Sequence, residues 1–229
     1  MTADPFRVAS DALSDFDGQV SDLARPFTSF LPVSGASVST FGALLSAETV
    51  SATDRRAGRI DELQFDLGEG PCWDALSTRR PILEPDVARS SEWPVFTKAL
   101  LDEEVGAIFA FPLALGPLEI GAVDLYSSRP ISLTPAQQQQ AVALSAIVSR
   151  ILLRHAVADG APSPSSTFSR RLIHQATGMV LAQLETTPED AYLIIQARAF
   201  SDNRTMREIA EDIIDRRIAF SALENPEAP

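Results

Sequence analysis

Residues 169–220 read SRRLIHQATGMVLAQLETTPEDAYLIIQARAFSDNRTMREIAEDIIDRRIAF, and the reading of this stretch decides the rest. Two helix starts in it are written in capping chemistry, in which a hydroxyl accepts from an orphan backbone N–H and a residue three places on reaches back. They are Thr187-Pro188-Glu189-Asp190 and Thr205-Met206-Arg207-Glu208. Pro188 takes the first helical position, where a missing N–H costs nothing. Three helices are therefore predicted, over roughly 169–184, 188–200 and 206–218.

At 100° per residue the first helix divides cleanly. Leu172, Ile173, Ala176, Met179, Val180 and Leu184 share the core side, and Arg171, Gln175, Gly178 and Ala182 fall opposite. A mid-helix glycine costs roughly 1 kcal/mol relative to alanine, so Gly178 points to a close approach on the outer face or to a tolerated surface glycine. The second helix is apolar almost all round, with Leu193, Ile194, Ile195, Ala197 and Phe200, which predicts enclosure by neighbours and supports a homodimer. The third is expected to bury Met206, Ile209, Ala210, Ile213 and Ile214 and to turn Glu208, Glu211, Asp212 and Asp215 outward. Four carboxylates repel phosphate, so a nucleic acid should meet the N-terminal end of this helix, near Arg204 and Arg207. Solvated arginines are the plain alternative.

Upstream, 229 residues with 45% hydrophobic content suffice for one large or two small cores. Net charge is −12, from 31 acids against 19 bases, which argues against gripping nucleic acid by bulk electrostatics. Residues 1–167 carry 12 bases and 21 acids, whereas 168–220 carry 7 and 8, a net of −1. A recognition helix for DNA is not legible, because the last helix is acidic outward. One cysteine, Cys72, leaves no intrachain disulfide and fits a reducing compartment. The acidic N-terminus does not read as a signal peptide, and the apolar run 141–153, interrupted by Arg150, reads as too short for a bilayer. The expected localisation is cytoplasmic, with no membrane.

Residues 1–10 are expected to be disordered and a helix to cover 11–30. Hairpins are predicted from 36–40 with 44–52 and from 107–115 with 118–126, and a charged turn or short helix over 53–60. Gly68 and Gly70 allow a tight loop before Pro71, which opens a helix carrying Cys72 and Trp73. A short strand over 81–84, a helix near 93–102 and a long helix from Thr134 to about Ala156 complete an α+β sheet domain, 11–156. The Pro/Ser/Gly-rich stretch 157–167 reads as a linker and 221–229 as a disordered tail.

The N-terminal part resembles a GAF domain, a small-molecule sensor with a central antiparallel sheet and flanking helices. Leu63-Gln64, the run Gly68 to Cys72, Asp86, Trp93-Pro94, Phe96, Pro112-Leu113 and Gly121 carry the resemblance. It is similar to the GAF domains of actinobacterial GAF–ANTAR regulators and names no ligand. Cys72 reads either as a packed small hydrophobe or as a thiolate favoured by the helix N-terminus but opposed by Asp66, Glu69 and Asp74. Trp73 and Trp93 read as core or as the lining of a ligand pocket. His155 and His174 lie on separate segments, so no metal site is legible, and no cofactor is expected.

The stretch 168–220 resembles an ANTAR domain, a three-helix RNA-binding antitermination module, through Ala176, Gly178, Ala191-Tyr192, Ala199-Phe200, Met206, Ile209 and Ala210. The resemblance implies a dimer that holds paired stem-loops in nascent RNA and prevents a terminator from forming. The candidate RNA contacts are Arg171, His174, Gln175, Gly178, Arg198, Arg204 and Arg207. The family often carries arginine where this chain has Gln196, and Arg198, about 200° away around the helix, is not a direct substitute. The expected function is thus an RNA-binding regulator under a sensor domain and not an enzyme, since Cys72 has no evident base or resolving thiol. The alternative is a ligand- or redox-sensing protein whose helical tail only dimerises.

Overall fold

A computed structural model of the chain describes residues 4–16, 18–41, 47–159, 171–202 and 204–220. The chain separates into two compact units, Met1–Ser169 and Arg170–Pro229.

In the N-terminal unit, α1 (Pro5–Ser14) starts where Asp4 accepts from the Phe6 N–H at 3.2 Å and proline stands at the first helical position. The expected disorder of residues 1–10 therefore fails over 5–10: Ala9 and Leu13 are buried on the apolar side of this helix. The single helix expected over 11–30 is also corrected. A 3-10 turn at Val20–Asp22 and the short α2 (Arg25–Thr28) replace it, because Gly18 and Pro26 interrupt the pattern.

The strands are β1 (Gly35–Thr40), β2 (Glu48–Ala52), β3 (Ile82–Glu84), β4 (Ala107–Leu115) and β5 (Leu118–Ser127). They form one antiparallel sheet in the order β2-β1-β5-β4-β3. Residues 44–46 of the expected second strand lie outside the described residues. Both predicted hairpins form, and β1 joins β5 to bring their chemistry together, pairing Ser37 with Asp124 and Ser39 with Ala122.

Between β2 and β3, of the charged turn or short helix expected over 53–60, the helix forms and runs further, as α3 (Arg55–Leu67). The Asp54 carboxylate accepts from the Ala57 N–H at 2.9 Å to start it, and Gly68, at φ 67°, ends it. The stretch from Leu63 is thus helical before the glycine loop. Then follow α4 (Pro71–Thr78), α5 (Pro94–Ala99), a 3-10 turn at Leu100–Glu103, and α6 (Pro135–Asp159). Thr134 caps α6 reciprocally with Gln137.

The sheet is a middle layer. On one face Ala36, Val38, Phe109, Phe111 and Val123 pack with Phe27 of α2 and with Leu144, Val148 and Ile151 of α6. On the other, Ile60, Phe96, Leu100, Ile108 and Tyr126 form one cluster, and Phe41, Phe65, Cys72 and Ala122 another. Burial from both sides explains why every residue of β1 is buried. Over Pro135–Val157 α6 is long and apolar enough to cross a membrane by length and composition only, so the sequence expectation of too short a run is corrected. The fully buried Ala141, Leu144 and Val148 show its apolar side used in the core of this unit. It also runs three residues into the expected linker; residues 160–167 lie outside the described residues.

The C-terminal unit consists of α7 (Arg171–Leu184), α8 (Pro188–Asp202) and α9 (Met206–Ile214). The last ends at Ile214, four residues before the expected boundary, with Asp215 as its C-cap. Its core is Ile173, Ala176, Val180, Ala191, Ile195, Ala199, Met206, Ile209, Ala210 and Ile213. Four of these are alanines, whose lack of bulk lets the helices approach closely.

Candidate RNA-binding surface and sensor interior

On α7, the expected faces form as read. Ile173, Ala176 and Val180 are buried, and His174, Gln175 and Gly178 are exposed. A Cβ built at Gly178 has no neighbour within 4 Å, so nothing inside the unit requires a glycine there. The Arg171 side chain lies outside the described residues.

Both predicted caps form. Thr187 accepts from the Asp190 N–H at 3.1 Å, and Thr205 from the Glu208 N–H at 3.1 Å while the Glu208 carboxylate accepts from the Thr205 N–H at 2.9 Å. The start of α9 therefore already holds a carboxylate on one of its orphan donors. The arginines expected to offer positive charge are likewise engaged. Arg198 meets Asp202 at 2.6 Å, Arg207 meets Glu211 at 3.2 Å, and Arg204 meets Asp212 at 2.7 Å. Asp212 also takes Arg217 at 2.5 Å. Hydrogen bonds from Arg204 and then Arg217 hold the Asp212 carboxyl below its ordinary value, and the same bond raises Arg204. The predicted basic corner is a neutralised ion-pair network. The sequence did not reveal this, because Asp212 was assigned outward from periodicity alone.

On α8 the sequence expectation of enclosure holds only on one side. Ala191, Ile195 and Ala199 are buried, whereas Leu193 is 55% and Phe200 69% exposed within the chain.

In the N-terminal unit, Cys72 is fully buried and its N–H donates to the Gln64 Oε1 at 2.8 Å. Trp73 stands edge-on to Phe41 and Phe65, which stack at 4.5 Å, and its Nε1 donates to the Gln64 carbonyl at 2.7 Å. Trp93 belongs to the neighbouring cluster and donates through Nε1 to Asp74 at 2.8 Å. None of these three lines the shallow recess bounded by Ser37, Ala57, Ile60, Ile108, Asp124, Leu125 and Tyr126. It has no room for a water-sized sphere, and so no volume of the kind that takes a drug-sized ligand.

What sequence reasoning missed is the polar cluster beneath α3. Asp61 and Gln64 of α3 and Asp124 of β5 are all buried. Gln64 donates to one Asp124 oxygen at 3.0 Å while accepting from Cys72, and Thr49 donates to Asp61. The other Asp124 oxygen and the Ser39 hydroxyl have no hydrogen-bond partner among the described residues. Burial, then the neighbouring Asp61 charge, push the Asp124 carboxyl well above its ordinary value, opposed by the Gln64 hydrogen bond. The signal was present in the sequence: Ala122-Val123-Asp124-Leu125-Tyr126 sets a carboxylate inside an apolar central strand. Gly70 serves this cluster, since at φ 139° a Cβ there would stand 2.7 Å from the Gln64 side chain.

A GAF domain model matches residues 20–152, more than half of the chain, and an ANTAR domain model matches 168–214 behind it. The chain belongs to the GAF family. It is a GAF–ANTAR protein, with the sensor-type domain first and the three-helix domain second. No curated protein matches it. Among solved structures, the GAF domain of an Acinetobacter phosphoenolpyruvate-protein phosphotransferase is 10% identical, covers 70% of this chain and all of that one, and has a TM-score of 0.54. The corresponding Coxiella burnetii domain is 13% identical with a TM-score of 0.54, covering 69% of this chain and 95% of that one. The chromophore-binding domain of the R. palustris bacteriophytochrome RpBphP3 is 11% identical with a TM-score of 0.53, covering 68% of this chain. This GAF–ANTAR chain spans only 61% of that structure. At such identities the likeness concerns the GAF fold alone.

Proposed function

We propose that this protein is a transcription antitermination regulator that binds paired stem-loops in nascent RNA as a homodimer, under the control of its GAF domain. The observation that carries the reading is the order of the two domains, a GAF match over 20–152 followed by an ANTAR match over 168–214. ANTAR domains belong to RNA-binding antitermination regulation and GAF domains to sensing, and neither is a catalytic module. The exposed side of α7, with His174, Gln175 and Gly178, offers a surface for unpaired bases. Arg171, Arg198, Arg204 and Arg207 supply cations nearby in the same unit, on condition that RNA phosphate displaces the carboxylates now holding three of them. A small molecule acting on the GAF domain is the proposed input, and the cytoplasm, where transcripts are made, is the proposed compartment.

The test is filter binding at 0.1 M salt, using the full chain and an RNA pool of two tandem hairpins with fixed stems and randomised loops. Enrichment of particular loops over single-stranded RNA of equal length is the expected result. A pool that passes through unretained would defeat the proposal. The second reading, a sensing protein whose tail only dimerises, draws support from the ion pairs that neutralise the arginines; it predicts a dimeric mass by light scattering with no retained RNA.

A further inference from the structure

Buried polarity gathers on one side of the sheet. Ser37 stands opposite Asp124, and Ser39 stands opposite Ala122 on one flank and Thr49 on the other. Residues two apart on a strand point to the same face, and Ala122 packs there with Phe65 of α3 and Cys72 of α4. On that face Thr49 donates to Asp61 and Gln64 donates to Asp124. Ser39, fully buried, therefore lies between the strand that reaches Asp61 and the strand that carries Asp124. Neither its hydroxyl nor the second Asp124 oxygen has a hydrogen-bond partner among the described residues. Buried polar atoms are rarely left so, and burial with the Asp61 charge disfavours an ionised Asp124 unless positive charge is added.

We propose that the Asp124 Oδ1, with the hydroxyls of Ser39, Ser37 and Thr49, binds a dehydrated sodium ion beneath α3. The inference rests on the reading of the GAF domain as the sensing part of the chain and names the ligand it takes. Thr49 gives its proton to Asp61 and keeps its oxygen lone pairs, and Ser37 lines the recess beside Asp124. Hard oxygen donors suit hard cations. Among the described residues no three His, Cys, Asp or Glu side chains converge to hold a metal, so a transition metal lacks its donor set. The recess has no room for a water-sized sphere. A bare ion of the size of Ca²⁺, which Na⁺ nearly matches, stands about 2.3–2.6 Å from oxygen, closer than the about 2.7–2.8 Å of an O–H···O bond. Mg²⁺ keeps several waters and Ca²⁺ takes about six to eight oxygens, whereas one carboxylate oxygen among neutral hydroxyls matches a single charge. K⁺ is larger than the space.

The experiment is urea denaturation of the full chain at pH 8 and constant ionic strength, with choline chloride replaced stepwise by NaCl, KCl, MgCl₂ or CaCl₂. The unfolding constant should fall about 11-fold when sodium reaches about ten times its dissociation constant, and should move less than about 2-fold in the other salts. Asp124→Asn should end the dependence on sodium. Ser39→Ala should raise the sodium needed for half the effect several-fold. The sodium NMR line should broaden with the folded wild type and sharpen when the chain is unfolded in urea, which gives an answer without any variant.

Equal shifts in every salt are screening alone and overturn the inference, as does a sodium dependence that survives Asp124→Asn. A shift by CaCl₂ with none by NaCl places a divalent ion there and overturns the choice of sodium. An unfolding constant that moves with pH but not with sodium assigns the site to a proton and overturns it likewise. A sodium line that the folded chain leaves sharp does the same. No RNA enters this test, so its failure and that of the antitermination reading are told apart.

Discussion

The two units treat carboxylates in opposite ways. Beneath α3, Asp61 and Asp124 are removed from water, and the Gln64 amide donates to one oxygen of Asp124. In the C-terminal bundle, Asp212 faces two guanidinium groups at the surface. Moving charge out of water costs several kcal/mol unless it is paired or neutralised, whereas exposed pairs are screened and contribute little. The buried group therefore governs stability and its pH dependence, and the surface network governs which cations are free to meet a partner.

The strongest way to break the contrast is Gln64→Leu. It strips Asp124 of its amide donor and the Cys72 N–H of its acceptor, both buried. We expect a loss of about 3 kcal/mol or more in urea denaturation. A loss under about 1 kcal/mol would mean that water already satisfies these groups, and that the interior is not dry.

Asp124→Asn sharpens the same point through pH. The folded carboxyl lies well above the ordinary value of 3.8, so the folded state holds this proton more tightly than the unfolded chain does. The stability it contributes is complete below about pH 3.8 and is lost as pH rises through the folded value. Asparagine cannot ionise, and its variant should be the more stable at neutral pH, with a flatter urea midpoint from pH 4 upward. The Asp61 charge faces the same carboxyl from α3 and adds to the effect of burial. An unchanged pH profile would assign the titration elsewhere.

How much of this was legible in the sequence follows the same division between interior and surface. Capping residues act locally, so Thr187, Thr205, Thr134 and Pro71 marked helix starts that the structure forms. The hairpin 107–126 was equally plain, because two apolar runs flank Gly116-Pro117. The helix at Pro5 was missed because Asp4-Pro5 is a cap that only packing against a distant helix makes worthwhile. The length of α3 was missed because Gly68 was given to a loop when it terminates a helix. At the site, periodicity identified the faces of α7 but not the carboxylate partner of Arg204, Asp212, which lies eight residues along the chain on another turn. The Asp124 carboxylate is visible within an apolar run, but its partner Gln64 lies 60 residues earlier on α3, a long-range packing that no local pattern supplies.

The smallest effect on stability, and the one that sharpens the surface half of the comparison, comes from Asp212→Asn. The substitution removes the carboxylate that holds Arg204 at 2.7 Å and Arg217 at 2.5 Å. Both cations stay solvated, so the urea midpoint should barely move. RNA binding should instead tighten several-fold at low salt, and its dependence on log salt should steepen by about 0.7 for each arginine that gains a phosphate. A slope identical to that of the wild type would show that Arg204 and Arg217 do not reach the RNA backbone even when released. The affinity of this near-neutral bundle would then rest on base contacts alone, without the phosphate contacts from which a basic domain draws most of its binding.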